Sequence, residues 1–479
     1  YEDAQLNLIR PREKGGVLYP ELIIFEPDYL VDISAIARCF TNYAESPVVH
    51  LLNKLQPQQV TEPLLLGNLA GQLLDEAITY SGKECRPYRD SAMDFFRNNA
   101  LNFLAIGRGH DLHKNAQLQR QNIHTALESL EKSLERFSIS DAFVEPSFFS
   151  EMLGLQGRMD YLQLDFKVLM EQKSGKSGFS YNSTEVKERE EHYVQLLLYM
   201  LIIRYNYRDL YEQNRRELHA LLLYSKYGNG LIELPFAPQL VFRALKLRNG
   251  MARADIGYTE PHGFDILETL TPEIVNEKNA RGTLWERYQR QQIQEVLAPI
   301  HNASPLERAY FLRFLTFIAN EHAMAKLGNR TKENSGFAAK WHDSLEEKRL
   351  AGNIYDSLSI VSPGTGTKGK IETVVLRFPA TTDNDMSNFR VGDIVILYPY
   401  AKDEQPDARK TMVFRCSIKK ITPEEITLVL RAPQSDNRVF VRRKDCLWAV
   451  EHDFFESSYS SLYRGMHAFL SAPKERRDL

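Results

Sequence analysis

The sequence predicts an α/β fold in which helical regions flank a mixed sheet and a small β-barrel follows. Three observations indicate this arrangement. Apolar residues recur at helical spacing through much of residues 1–140 and again through residues 238–358. Between them, residues 141–237 alternate short β-prone runs with one long helical pattern. After residue 370, several short β-prone runs follow one another at the spacing of a small barrel.

The composition is that of an ordinary globular protein. The 479 residues are enough for about three domains. With 43% hydrophobic and 26% charged residues, the chain falls outside the collagen-like and disordered classes. The 60 basic residues are balanced by 63 acidic ones, which gives a net charge of −3. The protein therefore does not attract nucleic acid through its overall charge, and any contact with a polyanion must involve a local basic patch.

No pattern in the sequence predicts a membrane-bound or secreted protein. The longest apolar run, residues 194–203, is too short to span a bilayer, and no signal peptide pattern opens the chain. The four cysteines form neither a disulfide framework nor a C-x-x-C zinc pattern. We therefore expect a cytoplasmic, bacterial protein with no membrane partner.

Residues 1–140 are predicted to be a mainly helical region that packs on the sheet. Short β-prone runs over residues 18–31 lead to Asp32 and Ser34, which offer N-caps for a first helix. Further helices are predicted over 64–78, 91–104 and 122–137.

Residues 141–237 are predicted to form the core sheet. Two strands joined by a turn reach a glycine-rich break at residues 174–178. A long helix over residues 185–207 and a strand over residues 219–225 follow. The next segment, residues 238–362, is predicted to be a helical stalk, and we assign its spaced aromatic residues to a bundle core: Trp285, Tyr288, Phe311, Phe314 and Phe317.

Residues 370–479 are predicted to form the β-barrel and a linker helix. The runs at residues 412–421 and 426–430 meet across Pro423, which indicates a hairpin. Residues 364–370 match half of a phosphate-binding loop. However, Ile371 replaces the required serine or threonine, and β-prone residues follow where a helix is needed. We interpret that segment as a turn between domains.

The predicted hairpin of the core sheet brings three polar side chains together. If the strands fold back about Asp165 and Phe166, Asp160 lies opposite Glu171, and Lys173 shares the face of Glu171. Opposed carboxylates repel unless a cation lies between them. Two acids and a lysine on one face suit metal-dependent hydrolysis of a phosphodiester. The alternative is two solvated strand charges and an unrelated lysine.

The long helix adds two further candidates. Gln195 and Tyr199 are one turn apart, and His192 lies on the same face. A glutamine among leucines is costly unless it is hydrogen-bonded, so we expect Gln195 to have a specific polar partner. The alternative is a glutamine satisfied within the core, without a role at a site.

These motifs resemble those of the PD-(D/E)XK nucleases of the RecB-like branch. The similarity lies in G-R-M-D at residues 157–160, E-x-K at 171–173 and Q-x-x-x-Y at 195–199. Residues 391–393, 413–421 and 448–465 are similar to the small barrel associated with superfamily 1 helicase motors. The whole pattern most resembles the nuclease half of replication-type nuclease-helicases.

The resemblance implies a DNA nuclease that depends on Mg²⁺ or Mn²⁺ and acts on single-stranded or flapped DNA. It implies Asp160 and Glu171 as metal ligands and Lys173 as the catalytic lysine. Gln195 and Tyr199 would position the DNA and the site. A helicase motor is expected in the same, longer polypeptide. From their places beside the motifs, we expect Arg158 and Lys176 to contact DNA phosphates.

Two departures from the family pattern affect the expected cofactors. Relatives carry a histidine where this chain has Gly71, four residues after Gly67, so one metal ligand is missing. Many relatives also hold an iron-sulfur cluster with four cysteines, but only Cys39 and Cys85 precede Cys416 here, so we expect no cluster. The missing histidine keeps open an alternative function: a nuclease-like module that binds single strands for a helicase motor without cutting them.

Overall fold

The computed structural model describes most of the chain. The described residues include a five-stranded mixed sheet, two helical regions and a closed six-stranded barrel. The α/β class and the C-terminal barrel are therefore confirmed. None of the helices within these ranges has both the length and the apolar character that crossing a bilayer requires. The described ranges are 4–80, 85–107, 111–135, 137–178, 185–214, 218–329, 336–365, 370–380, 387–435, 437–441, 446–454 and 456–478.

The N-terminal region begins with short strands before its helices. Asp32 caps the first helix, as predicted, because its carboxylate accepts the backbone N–H groups of Ser34 and Ala35. The strands are β1 (Leu6–Ile9), β2 (Arg12–Lys14), β3 (Val17–Tyr19), β4 (Leu22–Phe25) and β5 (Val31–Asp32). The helices are α1 (Ile33–Ala37), α2 (Pro47–Leu55), α3 (Glu62–Thr79), α4 (Tyr88–Asn98), α5 (Ala100–Ile106) and α6 (Leu112–Ser133).

The core sheet has the strand order β12-β11-β10-β9-β6. Strands β10 and β11 are parallel and the other pairs are antiparallel, so the sheet is mixed as predicted. Helix α7 is buried from Val194 to Ile203, and these residues pack in one apolar cluster with residues from β10 and β11. The elements are β6 (Ala142–Val144), β7 (Ser147–Ser150), β8 (Leu155–Arg158), β9 (Tyr161–Gln163), β10 (Val168–Lys173), α7 (Glu190–Asn206), α8 (Arg208–Asn214), β11 (His219–Tyr224) and β12 (Leu231–Glu233).

The stalk is helical, but the prediction for its aromatic residues was only partly right. Trp285 and Phe311 are buried, whereas Tyr288, Phe314 and Phe317 are exposed. Apolar residues at helical spacing indicate that a helix has an apolar face, but they do not show whether that face packs against the core. Here a second apolar face points to solvent. The helices are α9 (Pro238–Gly257), α10 (Ile266–Thr269), α11 (Pro272–Val275), a π-helical turn (Trp285–Gln289), α12 (Arg290–His301), α13 (Pro305–Leu327), α14 (Ala339–His342) and α15 (Leu345–Leu350).

The barrel closes in the order β13-β14-β17-β16-β15-β18. Its first strand begins at Ile354, within the predicted stalk, because the start of β13 pairs with β18, which lies far along the chain. The predicted hairpin is confirmed by the pairing of Ile421 with Ile426, and a strand rather than a helix follows residue 370. The elements are β13 (Ile354–Thr365), β14 (Ile371–Arg377), β15 (Ile394–Ala401), β16 (Phe414–Ile421), β17 (Glu425–Gln434), α16 (Arg438–Val441), β18 (Cys446–His452), α17 (Glu456–Ser471) and α18 (Lys474–Arg477).

A buried glutamine of the barrel forms two hydrogen bonds with the core sheet. Gln434 of β17 accepts the backbone N–H of Val144 at 3.1 Å and donates to the Val144 carbonyl at 2.8 Å. Val413 also donates its backbone N–H to the carbonyl of Ser147 at 2.9 Å. The barrel is thereby joined to the sheet strands that precede the candidate site.

Candidate active site

The hairpin β9–β10 places Asp160 beside the strand that carries Glu171. Tyr161 pairs with Met170 and Leu162 with Leu169, which is the predicted register. Asp160 directly precedes β9, and its Oδ2 accepts the backbone N–H of Gln172 at 2.7 Å. This hydrogen bond holds the Asp160 carboxylate next to the end of β10.

Glu171 and Lys173 lie on one face of β10, as predicted from the strand period. The Nζ of Lys173 donates to Glu171 Oε1 at 2.8 Å and to Gln195 Oε1 at 2.9 Å. Glu171 is buried and Lys173 is half-buried. The lysine is therefore fixed by two acceptors, one on the sheet and one on α7.

Helix α7 completes the hydrogen-bond network. Gln195 Nε2 donates to Glu171 Oε1 at 2.6 Å and lies 3.4 Å from the Tyr199 hydroxyl. The Tyr199 hydroxyl in turn donates to the backbone carbonyl of Arg158. The expectation that Gln195 has a specific polar partner is confirmed. His192 instead bonds with Tyr224, its Nδ1 lying 2.8 Å from the hydroxyl. Gln195 and Tyr199 thus connect β10 to the end of β8.

Burial dominates the electrostatics of the two carboxylates. It raises the pKa of Glu171 to about 8, with a further increase from the charge of Asp160. Burial also raises the pKa of Asp160. For Lys173 burial alone would lower the pKa, but the charges of Glu171 and Asp160 outweigh it and the pKa is raised. Burial thus disfavours the ionised form of both carboxyl groups, and a bound cation would favour it.

One atom of this network has no partner. Glu171 Oε2 is buried, and no hydrogen-bond donor reaches it from any described residue. An unpaired buried carboxylate oxygen is costly, and a hard cation is a suitable partner for it. Across the described ranges, no three His, Cys, Asp or Glu side chains form a group that could hold a metal. Mg²⁺ often uses only one or two carboxylates and completes its shell with water and phosphate, so Asp160 and Glu171 fit such an ion.

The two basic residues expected to contact DNA lie in different surroundings. Arg158 is exposed on the wall of a cavity and forms an ion pair with Glu145 at 3.0 Å. Lys176 is exposed, and it is not among the residues that line the cavity. The structure thus brings Arg158 to the site and leaves Lys176 outside its wall.

Two carboxylates near the site were missed from the sequence. Burial raises the pKa of Asp75, and the charges of Glu145 and Asp160 raise it further. Burial raises the pKa of Glu145 as well, again with a contribution from Asp160. Asp75 lies one helical turn after Gly71 on α3, where a Cβ added to Gly71 meets no atom within 4 Å. A search for a carboxylate one turn from the missing histidine would have found Asp75.

A cavity of about 580 Å³ opens in front of the site. Asp160, Glu171, Gln195 and Tyr199 line it together with residues of the barrel and of α17, whereas Lys173 is not a lining residue. Guanidinium and ammonium groups are well suited to phosphates. Seven such cations line the cavity: Arg38, Lys54, Arg158, Lys326, Arg415, Arg431 and Arg464.

The wall of the cavity away from β10 contains a buried cluster of charges. The Asp255 carboxylate accepts from Lys54 Nζ at 2.6 Å and from the Tyr29 hydroxyl at 3.0 Å, and it lies 3.2 Å from His50 Nε2. Lys326 Nζ lies 3.1 Å from Glu456 Oε2 in the same wall. These contacts connect α2, α9, α13 and α17 around the cavity.

Comparison with known proteins adds no relative from which a function could be transferred. No family model matches the sequence, and no curated protein matches it either.

Proposed function

We propose that this chain is a metal-dependent deoxyribonuclease that hydrolyses phosphodiester bonds in single-stranded or flapped DNA, within the N-terminal part of a nuclease-helicase. The observation that carries this proposal is the meeting of Asp160, Glu171 and Lys173. The two acids line a cavity that also contains several cationic side chains, and Lys173 lies behind them. The orphaned Glu171 Oε2 supports a cation as the missing partner of that arrangement.

Each residue of the network would have a separate task. Asp160 and Glu171 would hold Mg²⁺ or Mn²⁺, which would supply Lewis-acid activation of water and neutralise phosphate charge. Lys173 would orient and charge-stabilise the attacked phosphate. Gln195 would hold the Lys173 ammonium in place, since its Oε1 accepts that group at 2.9 Å. Tyr199 would fix the position of Gln195 relative to the end of β8, because its hydroxyl contacts Gln195 and donates to the carbonyl of Arg158.

The cavity supports a single strand as the substrate. Arg38, Arg158 and Arg431 line it and can bind the phosphates on either side of a scissile bond. A volume of about 580 Å³ is that of a ligand pocket, which admits part of one strand but not a duplex.

One observation favours a second candidate, a module that binds single strands without cutting them. The described residues contain no group of three metal ligands, and Gly71 stands where a histidine is expected. The cation-lined cavity would serve this function equally well. Cleavage by the wild-type protein separates the two candidates.

The decisive experiment incubates end-labelled single-stranded DNA with the chain and either Mg²⁺ or Mn²⁺. We expect cleavage that stops with a chelator and is lost in Asp160→Ala and Lys173→Ala, while both variants bind DNA within severalfold of wild type. Asp209→Ala and Lys246→Ala remove exposed residues of the same types outside the cavity and should cleave normally. Binding without cleavage by the wild type would favour the second candidate, and full activity in either site variant would refute the mechanism.

A further inference from the structure

Helix α13 has an exposed apolar face, and Phe469 of α17 contacts it only at Tyr310, where the ring centroids are 5.6 Å apart. Leu306, Tyr310, Phe317 and Met324 are 81%, 46%, 57% and 49% exposed, respectively. Phe314 is exposed beside them, 4.4 Å from Tyr310 between ring centroids. A solvated helix face is normally polar, and a contiguous apolar one marks an interaction surface.

Helical spacing puts these residues on one face. Successive residues of this face are three or four positions apart, which is the spacing of a packing seam between helices. The spacing begins at Leu306 and Tyr310 and continues through residues 313, 314, 317, 321 and 324. The opposite face of α13 is buried in the stalk, and its buried residues include Phe311, Leu315 and Ile318. The outer face, which we call the α13 stripe, is therefore additional to the face that holds the helix in the stalk. The α13 stripe comprises Leu306, Tyr310, Arg313, Phe314, Phe317, Glu321 and Met324.

The two charges of the α13 stripe are arranged symmetrically. Arg313 lies four residues before Phe317 and Glu321 four residues after it, and both are exposed. Neither has an ion-pair partner in the ranges that the structure describes. In an antiparallel pairing of two α13 helices about Phe317, each Arg313 faces the partner's Glu321 and each Tyr310 faces the partner's Met324. The stripe is thus complementary to itself in both charge and apolar character.

We propose that the α13 stripe is the interface of a homodimer in which two copies of this chain pair through antiparallel α13 helices, with a twofold axis at Phe317. An interface of this kind uses the same patch on both subunits, and self-complementarity is what it requires. A different partner would not need its charges arranged symmetrically about one residue. The proposal does not depend on the nuclease function.

The first test is sedimentation of the 479-residue chain, whose mass is 55.3 kDa. We expect the wild type to sediment with twice this mass. Phe317→Glu should raise the dimer dissociation constant about 100-fold or more, because it buries two like charges at the axis in place of two rings. Phe242→Glu is the matched control: Phe242 is 56% exposed on α9, away from the stripe, and the variant should dimerise normally. A monomeric wild type, or a dimer unaffected by Phe317→Glu, would overturn the proposal.

The second test exchanges the charges. Arg313→Glu and Glu321→Arg should each raise the dissociation constant about tenfold, because two symmetric ion pairs become repulsive. An equimolar mixture of the two variants should dimerise again, since every Arg then faces a Glu in the mixed dimer. Failure of the mixture to associate more tightly than either variant alone would exclude this register and the homodimer with it.

Discussion

Replacing Asp255 with alanine should destabilise the protein by about 3–5 kcal/mol, which is the usual cost of removing one partner from a buried ion pair. The Asp255 side chain is only 6% exposed and that of Lys54 only 11%. Without the carboxylate, the Lys54 ammonium and the Tyr29 hydroxyl lose an acceptor at 2.6 Å and 3.0 Å. A loss of this size is a large part of the ~5–15 kcal/mol that stabilises a typical protein.

Urea unfolding followed by circular dichroism measures this loss. Asp265→Ala is the matched control, because Asp265 also has a histidine partner, His262 at 2.9 Å, but both side chains are exposed. The control should change the free energy of unfolding by less than about 0.5 kcal/mol. Replacing both charges, with Asp255→Leu and Lys54→Met together, should cost less than Asp255→Ala alone because no charge is left unpaired.

The effect should also depend on pH. Burial by itself would raise the pKa of Asp255, but the neighbouring Lys54 and His50 hold that pKa well below its ordinary value. A carboxyl group with a lowered folded-state pKa stabilises the protein above its unfolded pKa of ~3.9 and loses this contribution as pH falls through the folded value. The difference between wild type and Asp255→Ala should therefore be full at neutral pH and shrink below about pH 4. A loss no larger than that of Asp265→Ala, or one that does not change in acid, would refute this account.

The remaining predictions concern the metal site and the cysteines. Gly71→His should lower the metal concentration that gives half-maximal cleavage, because its side chain has open space and adds a ligand; an unchanged titration would place that position away from the metal. Asp75→Asn should raise the same concentration about tenfold, because it removes a carboxyl group near Asp160 that a bound cation would help to ionise, whereas an unaltered value would make Asp75 purely structural. The purified protein should contain no iron, because the thiols of Cys39 and Cys416 are buried singly; iron and sulfide in matching amounts would contradict this.

Local pattern predicted the parts of the site that depend on neighbouring residues in the chain. Alternation along β10 and the turn at Asp165 were enough to put Glu171 and Lys173 on one face and to set the register of Asp160. The apolar surroundings of Gln195 were enough to predict that it needed a partner. In each case one strand or one helix determines the result.

Features that depend on the packing of distant segments were not predictable. The charge of Glu145 raises the pKa of Asp75 only because α3 and the start of the core sheet meet in the folded chain. The exposure of Phe317 depends on which side of α13 the rest of the stalk covers. The cavity takes its walls from segments at both ends of the chain, such as Arg38 and Arg464, so no local pattern indicates it.

The contact between Gln434 and Val144 should also hinder the pairing of β6 with another chain. Strand β6 is an edge of the core sheet, and an unpaired edge is a template for pairing with another chain. The Gln434 amide donates and accepts at the positions where a neighbouring strand would do so. At Val144 the barrel thus takes the place of the next strand, and a foreign strand could pair with that residue only after Gln434 had moved away.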